Sequence, residues 1–240
     1  MCENKLRILF TGDSITDVER TTLVRSTQEW LSRDPSVTRE RMTQAVNGIL
    51  GTGYPMLVAS QLGGEEPGRY EFLNRGISGN RVVDLDARVK VDCINLKPDV
   101  ISILIGVNDV WHQLGEDHNG VDAPKFRRVY GGMLQEIYQA LPGVKFILLE
   151  PYVIPGPATQ SQWEVFRREV DKRREVVHEL AKEFWEEYDL NIPVIATQRL
   201  FDEASDRSCP AHWSADGVHP TPAGHWLIAQ EWIRCFRELY

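Results

Sequence analysis

The sequence lacks the features that mark several common classes of protein. Its apolar runs all fall short of the roughly 18 consecutive apolar residues that predict a membrane-spanning helix. Four cysteines are present, Cys2, Cys93, Cys209 and Cys235, and no two form a C-x-x-C pair, so neither a zinc knuckle nor a disulfide framework is indicated. Positive charge is in deficit, because 27 Lys and Arg residues face 35 Asp and Glu residues and the formal net charge is -8. This charge disfavours nucleic acids and anionic membranes as partners and favours a neutral or small substrate.

Motifs of two large groups of α/β proteins are also missing. The phosphate-binding pattern G-x-x-x-x-G-K-[ST] does not occur, and GTGYPM has only two of the three glycines of G-x-G-x-x-G. The pentapeptide GISGN does not fit G-x-S-x-G, which disfavours the α/β-hydrolase fold. We therefore expect neither a nucleotide-binding protein nor a member of that hydrolase fold.

The composition of the 240 residues is that of an ordinary globular protein. Hydrophobic residues make up 42% and charged residues 26%, which is enough apolar material for a sizeable core. No internal repeat, low-complexity tract or linker-like stretch divides the chain, so we predict one domain over residues 1–240. The apolar run that follows MCENK is too short for the core of a secretory signal, and we expect a cytoplasmic protein.

Short apolar runs alternate with amphipathic stretches along the chain. The runs at residues 99–106 and 144–151 consist almost entirely of Val, Ile and Leu, which is typical of strands buried on both faces of a parallel sheet. The predicted strands are 6–12, 70–76, 99–106, 144–151 and 192–197. The predicted helices are 55–63, 81–96, 126–141, 163–188 and 222–239. Alternating strands and helices form right-handed β-α-β units, so the pattern predicts a doubly wound α/β fold.

In such a sheet, ligands bind outside the carboxyl ends of the strands. This rule draws attention to Ser14, which lies in LFTGDSITD, directly after the first predicted strand. The residues around it are typical helix caps, and Ser14 is itself a good capping residue. The alternative is a nucleophilic serine whose oxyanion is stabilised by the free N–H groups and positive potential of the helix N-terminus.

A nucleophilic serine needs a general base, and His219 is the strongest candidate among the six histidines. It lies in the loop SADGVHPTPAG, and Asp216 precedes it by three residues. A carboxylate at this spacing can accept a hydrogen bond from Nδ1–H and leave Nε2 free to take the serine proton. A polar turn with an incidental histidine remains the alternative. His118 lies in a polar loop, whereas His178 and His225 fall within predicted helices, where we expect surface or packing roles.

Two further turns offer donors for an oxyanion. Gly76, in LNRGISGN, has no side chain to shield its backbone N–H, and Asn108, in IGVNDVWH, offers a side-chain amide. An oxyanion hole needs several donors that converge, and Ser14 N–H would be the third if the strand ends are adjacent. An ordinary turn or helix cap explains either residue equally well on its own.

Taken in order, GDSITD, NRGISGN, GVNDVW and DGVHP resemble the four blocks of the SGNH, or GDSL-type, hydrolase family, and the resemblance extends from residue 6 to about residue 233. It implies a flavodoxin-like three-layer α/β/α sandwich with a five-stranded parallel sheet. It also implies ester hydrolysis without a cofactor or metal. The matching motifs imply a catalytic triad formed by Ser14, His219 and Asp216. They also imply an oxyanion hole formed by Ser14, Gly76 and Asn108.

Longer stretches resemble a narrower group within that family. GTGYPMLVASQL, NRGISGNRVVDLDAR, IGVNDVWHQ and HPTPAGHWLIAQ are similar to bacterial acetylxylan esterases and related carbohydrate acetylesterases. This resemblance implies an acetylated sugar as the substrate. The alternatives are a lysophospholipase- or thioesterase-type hydrolase of longer acyl chains and a non-catalytic carbohydrate-binding protein on the same fold.

Residues beside the four blocks are the candidates for contact with a substrate. Trp111 and Trp213 suit sugar rings, because aromatic faces pack well against them, and Asp13 adjoins Ser14. The stretches CPAHWSADG and VWHQLGEDHNG are expected to shape the acyl and leaving-group pockets. Exposed aromatic residues are compatible with a homo-oligomer.

Overall fold

One five-stranded sheet forms the centre of the structure, a computed structural model that describes residues 5–240, so that Cys2 lies outside the described residues. The strands are β1 (Leu6–Gly12), β2 (Tyr70–Asn74), β3 (Val100–Leu104), β4 (Lys145–Leu149) and β5 (Val194–Ile195). All neighbouring strands are parallel, and their order is β2-β1-β3-β4-β5. This is the flavodoxin-like order, and it confirms the predicted five-stranded parallel sheet.

Helices cover both faces of this sheet. They are α1 (Ser14–Asp17), α2 (Arg20–Leu31), α3 (Arg39–Asn47), α4 (Tyr54–Glu65), α5 (Val82–Asp92), α6 (Val107–Leu114), α7 (Ala123–Ala140), α8 (Trp163–Tyr188), α9 (Thr197–Arg207), α10 (Pro210–Trp213) and α11 (Pro222–Leu239). Successive strand residues point to opposite faces. In β1, Ile8 and Phe10 pack with residues of α4 and α11, whereas Leu9 packs with residues of α5 and α7. The two cores on either side of the sheet confirm the predicted three-layer sandwich.

Several strands end earlier than predicted because the local backbone stops them. β3 ends at Leu104, shortly before Gly106, whose φ of 131° is not a strand conformation. β5 contains only Val194–Ile195. Pro193 precedes it and has no N–H to donate, and α9 already begins at Thr197.

The long helices follow the prediction more closely. The bounds of α8 and α11 are those predicted from their apolar periodicity. α7 begins earlier, at Ala123, because the side chain of Asp122 caps it by accepting the N–H of Lys125 at 2.7 Å. α5 is broken at Cys93, whose φ of -125° and ψ of -67° leave residues 94–96 as a separate 3-10 turn. Within residues 5–240, no helix is both long and apolar enough to span a membrane.

The helical hairpin formed by α2 and α3 was not predicted from the sequence. It lies between α1 and α4 in the chain, and Leu31 is the one buried residue of α2. Trp30 and Leu23 are 69% and 42% exposed. Because the hairpin buries so little apolar surface, its sequence has no strong apolar stripe, and periodicity alone could not reveal it.

Candidate active site

The carboxyl ends of β2, β1 and β3 lie side by side at one edge of the sheet. α1 follows β1, the turn of residues 75–81 follows β2, and α6 follows β3. The loop of residues 214–221, before α11, reaches the same edge. A cavity of about 540 Å³ lies there. Each of the four sequence blocks contributes to its wall, through Ser14, Gly79, Asn108 and His219. The four blocks thus meet at one cavity, as the strand-end rule predicts.

Ser14 is the first residue of α1, and its neighbour performs the capping role. Asp13 is the N-cap residue, and its Oδ1 accepts the N–H of Ile15 at 2.9 Å. The hydroxyl of Ser14 is therefore free for another interaction, and its Oγ lies 2.9 Å from Nε2 of His219. Gly12 makes this tight turn possible, because its φ is 155° and a Cβ there would collide with the carbonyl oxygen of Leu104.

His219 and Asp216 form a close pair behind Ser14. Nδ1 of His219 lies 2.7 Å from Oδ2 of Asp216. Oδ1 of Asp216 also accepts the backbone N–H groups of Val218 and His219, at 2.9 and 2.8 Å. Partial burial favours a higher pKa for Asp216, but these hydrogen bonds and the nearby imidazole outweigh it and lower the pKa to about 2. Asp216 is therefore ionised at neutral pH, and its hydrogen bond raises the pKa of His219.

The loop that carries this pair is held by neutral hydrogen bonds. Ser214 Oγ donates to the carbonyl oxygen of His219 at 2.9 Å and accepts the N–H of Gly217 at 3.2 Å. The hydroxyl of the buried Tyr152 donates to the carbonyl oxygen of Val218 at 2.8 Å. These contacts fix the loop on both sides of the imidazole, so that its orientation does not depend on Asp216 alone.

The turn after β2 does not present Gly76 to the cavity. The N–H of Gly76 is donated to Oδ1 of Asn74 at 2.8 Å, which forms an Asx turn. Gly76 lies against the backbone of α1, where a Cβ would collide with Thr16 and Asp17. The prediction that Gly76 supplies an oxyanion donor is therefore corrected, because its N–H is already bonded and Gly76 is not in the cavity wall.

Gly79, three residues after Gly76, is the glycine of this turn that lies in the cavity wall. Ile77 donates its N–H to the carbonyl oxygen of Gly12, and Asn80 donates its N–H to the carbonyl oxygen of Ile77. Ser78 donates its N–H to Asp17. Gly79 lines the cavity, and its φ of 82° is a conformation that favours glycine. It is the turn residue that sequence reasoning missed.

Asn108 lies at the start of α6 with 5% of its surface exposed, and it lines the cavity. Its Nδ2 donates to the carbonyl oxygen of Asn80 at 3.1 Å, which leaves the second N–H of the amide for a ligand. The next residue, Asp109, is fully buried and accepts the N–H of Val82 at 3.1 Å. Burial raises the pKa of Asp109 to about 7. Asn108 and Asp109 thus join α6 to the turn after β2.

Comparison with known proteins identifies the family. Residues 10–227 match the GDSL-like lipase/acylhydrolase family, which is most of the chain. The chain belongs to this family. An acetylxylan esterase from Geobacillus stearothermophilus is 33% identical over 234 residues, which cover 95% of this chain and 92% of that protein. Family and relative together make this chain a carboxylic ester hydrolase.

Solved structures of GDSL-family proteins agree with this assignment. The structure of the Geobacillus stearothermophilus acetylxylan esterase Axe2 has a TM-score of 0.74 and 31% identity, and covers 98% of this chain and 95% of its own. A protein described as a GDSL-like lipase from Parabacteroides merdae has a TM-score of 0.76 and 31% identity, with 96% and 98% covered. Two further Axe2 structures are of variants called catalytic mutants, in which a serine and an aspartate are replaced by alanine.

The cavity of this GDSL-family hydrolase is bounded on one side by α6 and the loop after it. Trp111 lines the cavity, and its ring centroid lies 5.9 Å from that of His219, while its contact with a substrate stays a prediction. The stretch VWHQLGEDHNG also contributes His112, Glu116, Asp117 and Asn119 to the wall, as its predicted role in shaping a pocket requires.

Two other candidates for substrate contact do not reach the cavity. Asp13 is completely buried beneath α1, and burial raises its pKa to about 7. Trp213 packs against the core and against His212, and the guanidinium of Arg207 lies 5.4 Å from its ring. The predicted substrate contact of Asp13 is therefore corrected, because a completely buried side chain cannot touch a substrate, whereas the roles of Trp213 and of CPAHWSADG stay predictions.

His225, His178 and His118 lie outside the cavity wall. Nδ1 of His225, in the first turn of α11, accepts the N–H of Tyr54 at 3.2 Å, and burial lowers its pKa to about 4. His178 lies exposed on α8 beside Glu150, and His118 lies in an exposed turn. Within the described residues, no group of three or more His, Cys, Asp or Glu side chains is arranged to hold a metal ion.

Proposed function

We propose that this GDSL-family ester hydrolase removes acetyl and other short acyl groups from carbohydrate through an acyl-enzyme on Ser14. The observation that carries the proposal is the alignment of Ser14 Oγ, His219 and Asp216, with successive distances of 2.9 and 2.7 Å, at the wall of the cavity. A serine hydroxyl next to a histidine that a carboxylate orients is the arrangement of nucleophilic acyl transfer.

In the first half of the reaction, Ser14 Oγ attacks the ester carbonyl carbon and Nε2 of His219 takes the hydroxyl proton. Asp216 stabilises the imidazolium that forms, since it is ionised and accepts the Nδ1–H. The carbonyl π electrons move to oxygen and give a tetrahedral oxyanion. His219 then donates its proton to the departing alcohol oxygen, which leaves with the bond electrons, and an acyl-enzyme remains.

The oxyanion is bound by three donors in our proposal: the backbone N–H groups of Ser14 and Gly79 and Nδ2 of Asn108. These residues come from three adjacent strand ends and all line the same cavity. The N-terminus of α1 adds positive potential in the same direction, although this helix is short. Fixed donors of this kind stabilise the charge that develops in the transition state.

Water completes the cycle by the same route in reverse. His219 takes a proton from water, the hydroxide oxygen attacks the acyl carbon, and the second oxyanion occupies the same donors. Collapse of this intermediate breaks the bond to Ser14 Oγ, which regains its proton from His219. The products are the free alcohol and the carboxylic acid, and the protein returns to its starting state.

The proposal of an acetylated sugar as substrate rests on the character of the cavity wall and on the relatives. Glu116, Asp117 and Asn119 offer hydrogen bonds to sugar hydroxyls, and Trp111 offers an aromatic face. A long acyl chain would instead require an extended apolar channel. The acetylxylan esterase with 33% identity supports the same substrate class.

A series of p-nitrophenyl esters from acetate to palmitate tests the proposed acyl length. We expect kcat/KM to be highest for acetate and to fall steeply beyond butyrate, because Glu116, Asp117 and Asn119 place charged and amide groups in the cavity wall. Release of acetate from acetylated xylo-oligosaccharides tests the alcohol part. Rising activity toward palmitate would favour the lysophospholipase- or thioesterase-type alternative and contradict the proposal.

Covalent labelling tests the proposed nucleophile directly. A fluorophosphonate reacts with a serine only when a base activates it, and we expect a single modification at Ser14. An unlabelled Ser14 in the folded protein would contradict acyl transfer through this residue.

A further inference from the structure

A buried carboxylate outside the triad joins the nucleophile helix to the turn that carries Gly79. Asp17 is the last residue of α1, and 3% of its surface is exposed. Its Oδ2 accepts the backbone N–H and the hydroxyl of Ser78, at 3.1 and 2.9 Å. Its Oδ1 accepts the backbone N–H and the hydroxyl of Thr21, at 2.8 and 2.9 Å. One carboxylate therefore holds two chain segments with four hydrogen bonds.

We propose that Asp17 is a positioning residue for ester hydrolysis, because it fixes the N–H of Gly79 relative to Ser14 Oγ. The proposal rests on the proposed function, in which Gly79 donates to the oxyanion. It adds to that function a side chain that neither lines the cavity nor belongs to the five residues of the proposed triad and oxyanion hole.

The surroundings of Gly79 explain why this support matters. A Cβ built on Gly79 would have no neighbour within 4 Å, so nothing packs against that side of the residue. The start of the turn is fixed elsewhere, since Gly76 bonds to Asn74 and Ile77 bonds to Gly12. The next fixed point is Ser78, which directly precedes Gly79 and is held by Asp17. On the other side of Gly79, Asn80 donates to Ile77 and accepts from Asn108, so Asp17 is the side chain that holds the Ser78 side of the peptide that carries the Gly79 N–H.

The other end of this connection leads directly to the nucleophile. The N–H of Asp17 donates to the carbonyl oxygen of Asp13 at 2.9 Å, which closes one helical turn. Ser14 lies within this turn, three residues before Asp17. Two hydrogen bonds from Ser78 to this buried side chain restrict the motion of the turn relative to α1, which makes the connection stiff. A misplacement of about 1 Å in a catalytic group can cost about 10²-fold in rate.

The bonds to Thr21 serve a different purpose. They satisfy the N–H of Thr21 at the start of α2, which belongs to the exposed hairpin of α2 and α3. Loss of these bonds should destabilise the hairpin without moving Gly79. The two oxygens of Asp17 can therefore be tested separately, through Ser78 on one side and Thr21 on the other.

The chain also offers a matched control for the carboxylate. Oδ1 of Asp34 accepts the backbone N–H and hydroxyl of Ser36 at 2.9 and 2.7 Å. This is the same pair of serine donors on a carboxylate, but it lies within the exposed turn between α2 and α3. Asp17→Ala and Asp34→Ala would be compared in kcat and KM for p-nitrophenyl acetate. We expect kcat to fall about 10²-fold in Asp17→Ala with KM within about twofold, and both constants of Asp34→Ala to stay within about twofold of wild type.

A second pair of variants keeps the test decisive if Asp17→Ala does not fold. Ser78→Ala and Thr21→Val each remove one hydroxyl bond to the same carboxylate. We expect kcat to fall about fivefold in Ser78→Ala and to stay within about twofold in Thr21→Val, with similar losses of thermal stability in both. Equal kcat values in the two variants, or an effect of Ser78→Ala on KM alone, would overturn the inference.

The affinity of a boronic acid for Ser14 is a measurement that does not depend on the stability of the folded protein. The tetrahedral adduct resembles the oxyanion intermediate, so its affinity should fall in Asp17→Ala by the same factor as kcat/KM. Unchanged affinity in a folded Asp17→Ala protein would overturn the inference. Wild-type protein that hydrolyses no ester would instead refute the proposed function, so the two failures are distinguishable.

Discussion

Residues 5–240 contain two histidine–carboxylate pairs with similar dimensions. At the proposed active site, Nδ1 of His219 lies 2.7 Å from Asp216, beside a cavity of about 540 Å³. On the outer side of α8, Nε2 of His178 lies 2.8 Å from Glu150, beside a cavity of about 530 Å³. The distances and volumes alone do not tell which pair is catalytic.

The difference lies in which imidazole nitrogen is occupied and in what the other can reach. Asp216 takes Nδ1 and leaves Nε2 of His219 facing the hydroxyl of Ser14. Glu150 takes Nε2 of His178, and its cavity is lined by the side chains of acidic, arginine and histidine residues, without a hydroxyl. A histidine–carboxylate pair therefore becomes a catalytic base only where a nucleophile and oxyanion donors meet its free nitrogen.

Removal of the nucleophile should produce the largest effect and affect only the first pair. We expect Ser14→Ala to lower kcat for p-nitrophenyl acetate by about 10⁴-fold or more, because no acyl-enzyme can form. Its thermal unfolding midpoint should match wild type, since the cap of α1 is Asp13. Substantial turnover in the folded variant would contradict the assignment of the nucleophile.

Replacement of each carboxylate by its amide should separate the two pairs next. Asp216→Asn presents a donor to Nδ1 and stabilises the wrong tautomer, and we expect kcat to fall by about 10⁴-fold. Glu150→Gln makes the same change in the second pair, and we expect kcat to stay within about twofold. Steady-state kinetics with one ester measures both. Equal effects of the two substitutions would refute the distinction between the pairs.

Loss of an oxyanion donor should have a smaller effect than loss of the triad. Asn108→Ala removes the side-chain amide from the cavity wall, and we expect kcat to fall by about 10²–10³-fold, with KM nearly unchanged. A larger change in KM than in kcat would assign Asn108 to ground-state binding instead. Beside the second pair, the guanidinium of Arg174 lies in the cavity wall but is paired with Glu150 and Asp171.

The pH dependence of the reaction should report His219 and be insensitive to His178. The hydrogen bond to Asp216 raises the pKa of His219 above 6.5, and only the neutral imidazole can take the proton of Ser14. We expect kcat/KM to fall about tenfold per pH unit below that raised pKa and to level off above it. A pH–rate profile of wild type and His178→Ala tests this, and an inflection below 6.5, or one that moves in His178→Ala, would contradict it.

Titration of His219 should change the free energy of unfolding and the activity in opposite directions. A pKa that is raised on folding stabilises the folded state fully below the unfolded value of 6.5, and this contribution is lost as pH rises through the folded pKa. The pKa of Asp216, lowered to about 2, contributes stability above 3.8 that is lost as pH falls toward 2. The active, neutral form of His219 is therefore the one that contributes least to stability.

Local spacing explains why the sequence predicted one of these pairs and not the other. Asp216 and His219 are three residues apart in one loop, so their contact follows from turn geometry. Glu150 and His178 are 28 residues apart and meet only because α8 packs beside the end of β4. Propensity and spacing describe local structure, whereas the second contact depends on how helix and sheet pack together.

The oxyanion donor shows the same limit within a single turn. Gly76 and Gly79 both lie in NRGISGN, and glycine content alone could not choose between them. The signal that was available is Asn74, because Asn at this spacing accepts the N–H two residues later and so occupies Gly76. The parallel direction of the strands, by contrast, was predictable from the apolar runs, and so was the meeting of the four blocks at their carboxyl ends, whereas the strand order was only implied by the family resemblance.

The second pair itself should matter slightly for stability and not for catalysis. Glu150 is completely buried, forms an ion pair with the guanidinium of Arg174 at 3.2 Å and accepts the N–H of Gln198 at 3.1 Å. Because two donors remain and the His178 side chain is 51% exposed, we expect His178→Ala to lower the free energy of unfolding by about 1 kcal/mol or less. Denaturant unfolding and ester hydrolysis measure the two properties on the same sample, and we expect kcat/KM within about twofold of wild type. A tenfold or greater loss of kcat/KM without a loss of stability would show that the two pairs are coupled, and the distinction between them would then fail.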